Sequence, residues 1–573
     1  MSGETPQPVL RIALLTDFTP DFLERELRRA TREKGISIEI VTVDPNAREA
    51  QFLNPDSELI RFNPDIVLNG LSGPVQWSRF QSRPPGADRI RFGEELLENC
   101  VQDWERLHKE FPHAEIWQTN LAPFPDGISG TEAARDPKAF AFQRDQFNQD
   151  LKQALVPRRY AVLMDWSSVV EMTGTRQAYD HRLWLTSAHP FSLDFMPALT
   201  RPVLNRIKWR SGRFLKVLVL DLDNTLWGGV VGECGPHHIE IGQEGMGNVF
   251  RNFQLWCRHL KDDGILLAVA SKNDPERARE AFTVNSENIL RLDDFAVFRA
   301  GWEPKSEMIK AISRELNIGC DAFCFVDDSP FERNEVRSQL REITVPEMPE
   351  DPSAWIPFLA EQALFEAGTH STADTQRTKW VREEQNRRVQ AGSFTDYAHY
   401  LESLKMQGRV APLNEKHLAR AHQLIMRTNQ FNLRTIRYPL EELEKMPDSP
   451  DWMGRIFGLR DNCGDYGWIS LVLLHISELS SGTAFLDTWV MSCRVFERGM
   501  EQAVLNHLVT ELQEAGFRQL VAEFIPTAKN GKFADLLSRL GFASGEDGRW
   551  CLDLASAAVH ETHITFEKPA TDA

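Results

Sequence analysis

Short apolar runs, separated by polar or helical stretches, recur along the first two thirds of the chain. Five of them, RIALLT, SIEIVTV, DIVLNG, AEIWQT and YAVLMD, precede residue 200, and KVLVLDL, ILLAVAS, AVF and FCFVDD lie between residues 201 and 355. Runs of this kind are typical of parallel strands buried between helices. The pattern predicts two α/β domains, residues 1–200 and residues 201–355.

The pattern changes beyond residue 355. Residues 356–395 are highly charged, and their pattern predicts a helical connector. The runs RIFGL, YGWISLVLLHI, TAFLDTWVMS and LVAEFI follow, with a helical pattern from Glu497 to Gly516 before the last of them. This order predicts a third, α+β domain at residues 396–573.

Composition and charge narrow the function classes. The 65 basic and 83 acidic residues leave a net charge of −18, which argues against general binding to nucleic acid or to anionic membranes. No 18 apolar residues run together, and the first residues lack the pattern of a signal peptide. Eight cysteines without CxxC pairs fit reduced thiols. We therefore expect a cytoplasmic protein that does not act on nucleic acid or in a membrane.

The residues DLDNTLW follow the first apolar run of the second domain, where a parallel sheet carries its chemistry. Asp221 can attack phosphorus while sharing a divalent cation, and Asp223 points the same way and can pass a proton. Thr225 can hold phosphoryl oxygens with its hydroxyl. A lone DxDxT also fits a solvated turn, so the remaining strand ends decide between the two interpretations.

The other strand ends of this domain carry related chemistry. Ser271-Lys272-Asn273 can grip a phosphoryl group, and Lys305 in GWEPKS can neutralise its charge. Taken singly, these residues also fit a helix cap, a solvated charge and turn positions. Together with Asp327 and Asp328 they form, in order, a pattern that resembles the haloacid-dehalogenase (HAD) phosphotransferases. The metal ligands of a Mg²⁺ site would then be Asp221, Asp223, Asp327 and Asp328.

Longer stretches are more specific. WGGVVGECG, SKND, FVDDSPFERNEVR and RTNQFNLRT resemble the FkbH-like family, HAD-type proteins that prepare glyceryl units for polyketide assembly lines. The resemblance covers essentially the whole chain. It implies a Mg²⁺-dependent enzyme that takes 1,3-bisphosphoglycerate, removes phosphate and delivers the glyceryl group to the phosphopantetheine thiol of an acyl carrier protein.

Residues 227–242 are predicted to form a short flap in place of a large lid domain. Trp227, Gly228 and Gly229 of this flap are predicted to lie beside the substrate. Cys234 occupies a position where many sequences of this pattern carry an acid. We hypothesise that the Cys234 thiolate holds glycerate as a thioester; a packed small residue at a turn is the alternative.

The outer domains resemble two further folds. Strand ends of the first domain are similar in placement to the catalytic blocks of SGNH-type hydrolases, but Thr16-Asp17-Phe18 replaces the expected serine turn, which favours a docking or scaffold role. The other residues of this resemblance are Asn69, Gly70, Asn120, Asp180 and His189.

The last domain resembles the GNAT-type acyltransferases, with Arg494–Gly499 in place of their pyrophosphate loop. Glu497 stands where that loop carries glycine, which favours a site for a pantetheine arm over one for coenzyme A. Arg434 and Arg437 are predicted to dock phosphate or an acidic carrier protein, with exposed loop residues as the alternative.

Two other functions remain open. A stand-alone small-molecule phosphatase would need Asp221 but neither Cys234 nor the outer domains. A non-enzymatic scaffold of an assembly line would have lost its catalytic acids, whereas this chain keeps DxDxT and DDS.

Overall fold

In the computed structural model the chain divides into two compact units. Unit 1 comprises Met1–Ile207 and Pro439–Glu442, and unit 2 comprises Lys208–Tyr438 and Leu443–Ala573. The structure describes residues 9–124, 131–210, 214–365, 387, 397–476, 482–527, 529–545 and 548–566. Most of the predicted connector at residues 356–395 therefore lies outside the described residues. None of the described helices combines the length and the apolar character that a membrane crossing requires.

Unit 1 contains one parallel sheet of five strands, in the order β2-β1-β3-β4-β5. Its strands are β1 (Leu10–Thr16), β2 (Ile38–Thr42), β3 (Ile66–Gly70), β4 (Glu115–Thr119) and β5 (Ala161–Met164). Along β1, Ile12 and Leu14 join one hydrophobic cluster while Ala13 and Leu15 join another. Because successive side chains of a strand point to opposite faces, helices cover this sheet on both sides.

Eleven α-helices belong to this part of the chain. They are α1 (Asp21–Glu33), α2 (Arg48–Leu53), α3 (Glu58–Phe62), α4 (Gly73–Gln81), α5 (Ala87–Ile90), α6 (Phe92–Glu110), α7 (Phe140–Leu155), α8 (Trp166–Thr173), α9 (Thr175–Ala178), α10 (His181–Ser187) and α11 (Met196–Arg210).

Unit 2 contains two sheets, and the first is parallel with the order β8-β7-β6-β9. Its strands are β6 (Val217–Leu220), β7 (Leu266–Lys272), β8 (Phe295–Gly301) and β9 (Phe323–Val326). The helices around it are α12 (Val231–Cys234), α13 (Gly245–Asp262), α14 (Pro275–Val284), α15 (Lys305–Leu316), α16 (Pro330–Gln339) and α17 (Trp355–Gln362). Every residue of β6 is buried, which agrees with its place between β7 and β9.

The second sheet of unit 2 is mostly antiparallel and follows the order β16-β17-β15-β14-β13-β12-β10-β18, with β11 paired to β14. The strands are β10 (Gln407–Pro412), β11 (Phe431–Asn432), β12 (Trp452–Asp461), β13 (Gly464–His475), β14 (Thr483–Met491), β15 (Gln519–Glu523), β16 (Ala543–Ser544), β17 (Arg549–Asp553) and β18 (Thr565–Phe566). Helices of this part are Tyr397–Ser403, Glu415–Arg427, Leu440–Lys445, Met500–Glu514 and Leu536–Arg539.

The predicted α/β architecture with parallel sheets is confirmed. Each apolar run before residue 355 coincides with one of β1–β9, with bounds that differ by a few residues. The predicted flap at residues 227–242 contains a short helix, α12, and a bridge between Gly228 and Glu240. The SGNH likeness of unit 1 stays a prediction.

Candidate active site

The strand ends of the first sheet of unit 2 place the predicted residues at one edge. Asp221 follows β6 directly, Ser271 lies at the end of β7, and Asp327 follows β9 directly. These three strands are parallel neighbours, so their carboxyl ends open on the same edge of the sheet. The fold therefore brings the residues of the sequence motifs together at the carboxyl edge of this sheet.

Three carboxylates form a tight cluster at this edge. One oxygen from each of Asp221, Asp327 and Asp328 lies within 4.8 Å of the others. Burial and the neighbouring Asp221 raise the pKa of Asp327 to about 7, and burial also raises the pKa of Asp328. Hard carboxylate oxygens at this spacing suit a divalent cation of the magnesium type, which would relieve their mutual repulsion.

The buried side chain of Lys305 balances two of these carboxylates. Its Nζ lies 2.9 Å from Asp221 Oδ1 and 2.5 Å from Asp327 Oδ2. Burial alone would lower the pKa of Lys305, but Asp221 and Asp327 together raise it above its ordinary value. The ammonium is therefore charged at neutral pH and can neutralise the charge of a phosphoryl group.

Asp223 is not part of the three-carboxylate cluster, and its carboxylate accepts from three donors of the flap and the β7 end. Its Oδ1 accepts from Trp227 Nε1 and from the Val231 N–H, both at 3.0 Å, and its Oδ2 accepts from Asn273 Nδ2 at 2.9 Å. Burial raises the pKa of Asp223 despite these bonds. A positioned carboxyl group with a raised pKa can act as a general acid.

Two predicted phosphate-binding hydroxyls lie in the same edge. Thr225 Oγ1 accepts from the Asp328 N–H at 3.2 Å, and Ser271 Oγ accepts from Asn273 Nδ2 at 3.1 Å. Thr225, Ser271 and Asn273 are all buried. Each hydroxyl therefore has a fixed place, with Thr225 joining the loop after β6 to the loop after β9.

The first flap residues contact Asp223 and Glu240; that they lie beside the substrate stays a prediction. Trp227 is fully buried, and its indole N–H donates a hydrogen bond to Asp223 Oδ1. It therefore positions the Asp223 carboxyl group. Gly228 exchanges two main-chain hydrogen bonds with Glu240, and a side chain at this glycine would collide with Glu240 and Phe250. Gly229 has a φ of +89°, which favours glycine.

Cys234 ends helix α12 and is half-buried. The helix has two attachments to the active-site domain: the Val231 N–H donates to Asp223, and Arg277 Nη1 donates to the Gly232 carbonyl at 3.0 Å. The thiol therefore belongs to a segment that is fixed against the catalytic loop.

Sequence reasoning missed two residues that organise the cluster, Arg333 and Glu335. Arg333 is buried, and its Nη1 donates to the carbonyls of Asp327 and Asp328 at 2.9 and 2.7 Å. Glu335 accepts from the hydroxyl of Ser306, the neighbour of Lys305, at 2.5 Å. The motif FERNE, which contains both residues, could have identified them. It lies on α16, which begins three residues after Asp327, so its side chains can reach the end of β9.

Lys272 pairs with a further residue of that motif. Its Nζ lies 2.7 Å from Glu332 Oε1. Glu332 on α16 therefore balances the Lys272 charge at the end of β7. Among the described residues, Lys305 is the cation that contacts the carboxylate cluster.

The predicted docking arginines have partners within the second sheet. Arg434 lies 2.5 Å from Asp487 Oδ2 and 2.9 Å from Glu523 Oε2. Arg437 Nη1 donates to the carbonyls of Ile425 and Met426, and its Nη2 donates to Asn429 Oδ1 at 2.5 Å. These contacts speak against the alternative of exposed loop residues, because both guanidinium groups bond within one domain. Docking of phosphate or of a carrier protein by Arg434 and Arg437 stays a prediction.

The segment Arg494–Gly499, predicted to stand in place of a pyrophosphate loop, has a left-handed backbone conformation at Glu497. Glu497 has a φ of +66°, a conformation that favours glycine, and its carboxylate pairs with Lys532 at 2.7 Å. A carboxylate at this turn repels a diphosphate. That Arg494–Gly499 serves a pantetheine arm and not coenzyme A stays a prediction.

The SGNH-like residues of unit 1 do not form a catalytic pair. Asp180 caps α10 by accepting from the N–H groups of Arg182 and Leu183, while His189 Nδ1 lies 3.3 Å from the Thr19 carbonyl. Thr16 donates to the Phe18 carbonyl. Among the described residues, neither Asp180 nor His189 is the hydrogen-bond partner of the other.

Asn69, Asn120 and Asp17 also bond within unit 1. Asn69 Nδ2 donates to Gln118 at 2.6 Å, and Asn120 Nδ2 donates to Asp165 at 2.7 Å. Gly70 lies against Thr16, whose methyl group leaves no space for a larger residue. Burial raises the pKa of Asp17 to about 6.

Comparisons with known proteins agree with this architecture. Residues 11–208 match the family model described as FkbH, N-terminal domain. The chain is 32% identical to the N-terminal part of the protein BF1531 from Bacteroides fragilis, which contains a phosphatase domain and was crystallised with Mg; the match covers 63% of this chain and 95% of that chain, with a TM-score of 0.59.

Part of the chain is similar to acetyltransferase structures. The ribosomal-protein-S18-alanine N-acetyltransferase of Escherichia coli is 18% identical, with 26% of this chain and 96% of that chain covered and a TM-score of 0.21. The GNAT domain of S. lividans PAT is 17% identical, with 25% and 89% covered and a TM-score of 0.21. No curated protein matches the chain. With its matching N-terminal domain and its 32% identity over 95% of the crystallised N-terminal part of the Bacteroides protein, the chain belongs to the FkbH-like family.

Proposed function

We propose that unit 2 is a Mg²⁺-dependent phosphatase whose reaction takes place at the end of β6. The observation that carries this proposal is the cluster of Asp221, Asp327 and Asp328 beside the buried Lys305. The similarity to a phosphatase domain that was crystallised with Mg supports it. Asp221, Asp327, Asp328 and the Asp223 carbonyl would hold the ion.

The residues of the chain divide the reaction between them. An oxygen of Asp221 attacks phosphorus, the bond from phosphorus to the leaving oxygen breaks, and Asp223 gives that oxygen a proton. Asp223 then takes a proton from the water that hydrolyses the aspartyl phosphate. Lys305 and Ser271 hold the phosphoryl oxygens. When bound, Mg²⁺ supplies positive charge that polarises the phosphoryl group.

The substrate follows from the family resemblance. In this proposal the enzyme takes 1,3-bisphosphoglycerate and serves a phosphopantetheinylated acyl carrier protein in polyketide biosynthesis. The Cys234 sulfur attacks the carbonyl carbon of the acyl phosphate, the carbon–oxygen bond to phosphate breaks, and phosphate leaves. The carrier thiol then attacks the thioester and releases Cys234. The fixed position of α12 beside Asp223 supports this role.

The test uses the full chain with Mg²⁺, 1,3-bisphosphoglycerate generated in place and a phosphopantetheinylated carrier protein. We expect phosphate release and a glyceryl adduct on the carrier by intact mass. Attack by Cys234 frees the phosphate of the acyl phosphate, and Asp221 removes the phosphate ester. Asp221→Asn with folding retained should therefore release only one of the two phosphates. Full phosphate release with no adduct on any carrier would make the protein a stand-alone phosphatase. No phosphate release under any condition would refute the proposal.

The role of Cys234 has its own test. Incubation with the acyl phosphate should give a protein adduct that is absent in Cys234→Ala. The adduct should be present in Cys463→Ala, where the substituted residue is another half-buried cysteine. An adduct that persists in Cys234→Ala would exclude Cys234 as the acyl carrier while leaving the phosphatase proposal intact.

A further inference from the structure

A cavity of about 410 Å³ lies within unit 2, between its first and second sheets. Its walls include Lys216, the residue before β6, and Leu266, the first residue of β7. The opposite wall includes Arg427, at the end of a helix of the second sheet, and Arg494 after β14. The volume lies within the range of small-molecule sites.

The lining of this cavity is strongly cationic. Five basic side chains face it, and Asp321 is the one acid among the described lining residues. That acid forms an ion pair with Lys529. The chain as a whole has a net charge of −18, so this group of positive charges around the cavity is a local feature. The five basic residues are Lys216, Arg420, Arg427, Arg494 and Lys529.

Contacts across the cavity fix several of these cations. Lys216 Nζ donates to the Arg427 carbonyl at 3.1 Å and lies 5.0 Å from the ring centre of Phe214. The guanidinium of Arg427 lies 5.9 Å from the same ring. Arg494 Nε donates to Ser492 Oγ at 3.1 Å. The positive charges are therefore held in place around an aromatic wall.

The cavity is separate from the phosphatase site. Lys216 precedes β6 and Asp221 follows it, and five residues of extended strand span about 16 Å. The cavity therefore opens at the amino-terminal edge of the first sheet, while the carboxylate cluster lies at the carboxyl edge. A ligand here does not meet the catalytic aspartates.

Near its carboxyl end, which reaches the cavity at Met491, β14 pairs with β11 and no longer with β15. The pairing of these two strands ends at Leu486 and Ala522, and β11 then pairs with β14 through Phe431 and Met491. The Ile525 N–H donates to the Leu433 carbonyl at 2.8 Å. The short segment that begins with β11 thus takes the place of β15 beside the end of β14.

We propose that this cavity binds an organic phosphate, a molecule with one or more phosphate groups joined to an apolar or aromatic part. Several fixed cations favour a ligand of more than one negative charge, and guanidinium groups pair well with phosphate oxygens. Leu424, Met491 and Phe496 give the apolar wall that the rest of the ligand would contact. This site does not depend on the proposed reaction at Asp221.

Two sources carry this chemistry: a free nucleotide and the phosphopantetheine arm of a carrier protein. Calorimetry on the full chain would use ADP, free 4′-phosphopantetheine and inorganic phosphate as probes. We expect at least one organic probe to bind more tightly than inorganic phosphate. ADP binding would identify the nucleotide source, and phosphopantetheine binding would identify the arm.

Variants separate this site from the active site. Arg427→Gln should weaken binding about tenfold or more, because it removes a charged partner while its main chain still accepts from Lys216. Arg460→Gln, at an exposed position outside the cavity, should bind like the unaltered protein. Asp221→Asn should also bind normally, even if it abolishes removal of the phosphate ester. Circular dichroism would check the folding of each variant.

A second measurement needs no substitution. Cys493 lines the cavity and is half-buried, so a bound ligand should suppress its alkylation by iodoacetamide. Cys551, half-buried and outside the cavity lining, should react equally with and without the ligand. The proposal is overturned if no organic probe binds, if Arg427→Gln binds as tightly as the unaltered protein, or if a bound probe leaves Cys493 fully reactive.

Discussion

Replacing Lys305 with methionine removes a buried cation that lies between two buried carboxylates. The Lys305, Asp221 and Asp327 side chains are 3%, 9% and 0% exposed, and the ammonium contacts both acids at 2.9 and 2.5 Å. Methionine has nearly the same length but no charge, so the variant loses the charge and little packing. Breaking a buried pair in this way costs about 3–5 kcal/mol.

The stability that Lys305→Met loses should depend on pH and on the presence of a divalent cation. Without the cation, the pKa of Asp327, already about 7, rises further, so the folded variant takes up a proton that its unfolded chain does not hold. The loss of stability is therefore larger at pH 8 than at pH 6. A divalent cation on Asp221, Asp327 and Asp328 would compensate for the missing charge and restore part of the stability.

Thermal unfolding measures this effect. For a domain of this size, the expected loss corresponds to a fall in Tm of between about 6 and 20 °C in the presence of a chelator. Lys310→Met is the matched control: it lies on the same helix α15, is 38% exposed and pairs with Glu307 at the surface. Its expected effect is within about 0.5 kcal/mol. The argument fails if Lys305→Met unfolds no earlier than Lys310→Met.

Three further predictions follow from individual contacts. Arg333→Met removes the donor to the Asp327 and Asp328 carbonyls and should weaken Mg²⁺ binding about 10–100-fold. Calorimetry would measure the affinity, and the control Arg337→Met should bind Mg²⁺ normally. Equal affinities in both variants would contradict this prediction. Asp223→Asn should slow removal of the phosphate ester about 10²–10⁴-fold without loss of Mg²⁺ binding, and a normal rate would remove Asp223 as the acid. Asp17→Asn should stabilise unit 1 by about 3 kcal/mol at pH 8, since the pKa of Asp17 is raised from 3.8 to about 6 in the folded state and its ionisation opposes folding. That gain should shrink as the pH falls below 6 and vanish well below pH 3.8, where Asp17 is protonated in both states. Chemical unfolding at pH 8 and at the low pH would show whether it does.

The catalytic edge was predictable because its residues follow buried parallel strands directly. Asp221, Ser271 and Asp327 stand where the apolar runs of β6, β7 and β9 end, and parallel neighbours bring such ends together. In a strand of this kind, local sequence determines both the secondary structure and the position of the next polar residue. Motifs that follow buried parallel strands therefore predict which side chains lie close together in the folded protein.

Residues whose roles depend on distant partners were not predictable in this way. Arg434 and Arg437 carry the same charge and lie three residues apart, yet the first pairs with Asp487 and Glu523 while the second bonds to main-chain carbonyls. The spacing of basic residues does not reveal which acids the fold brings to them. β10 was missed for a related reason, because QGRVAP contains glycine and proline and becomes a strand by pairing with β12.

The hydrogen bonds of Asp223 join the two halves of the proposed reaction. The Val231 N–H holds Asp223, and Val231 is the first residue of the short helix that ends at Cys234. Three residues of helix rise by about 4.5 Å, so the thiol and the proposed acid are placed by one rigid turn. A flap that moved would release the donor to Asp223 and displace Cys234 at the same time. Acyl transfer and phosphate removal would then need the same closed flap, and Arg277→Met, which breaks the second attachment of the helix, should reduce both rates together.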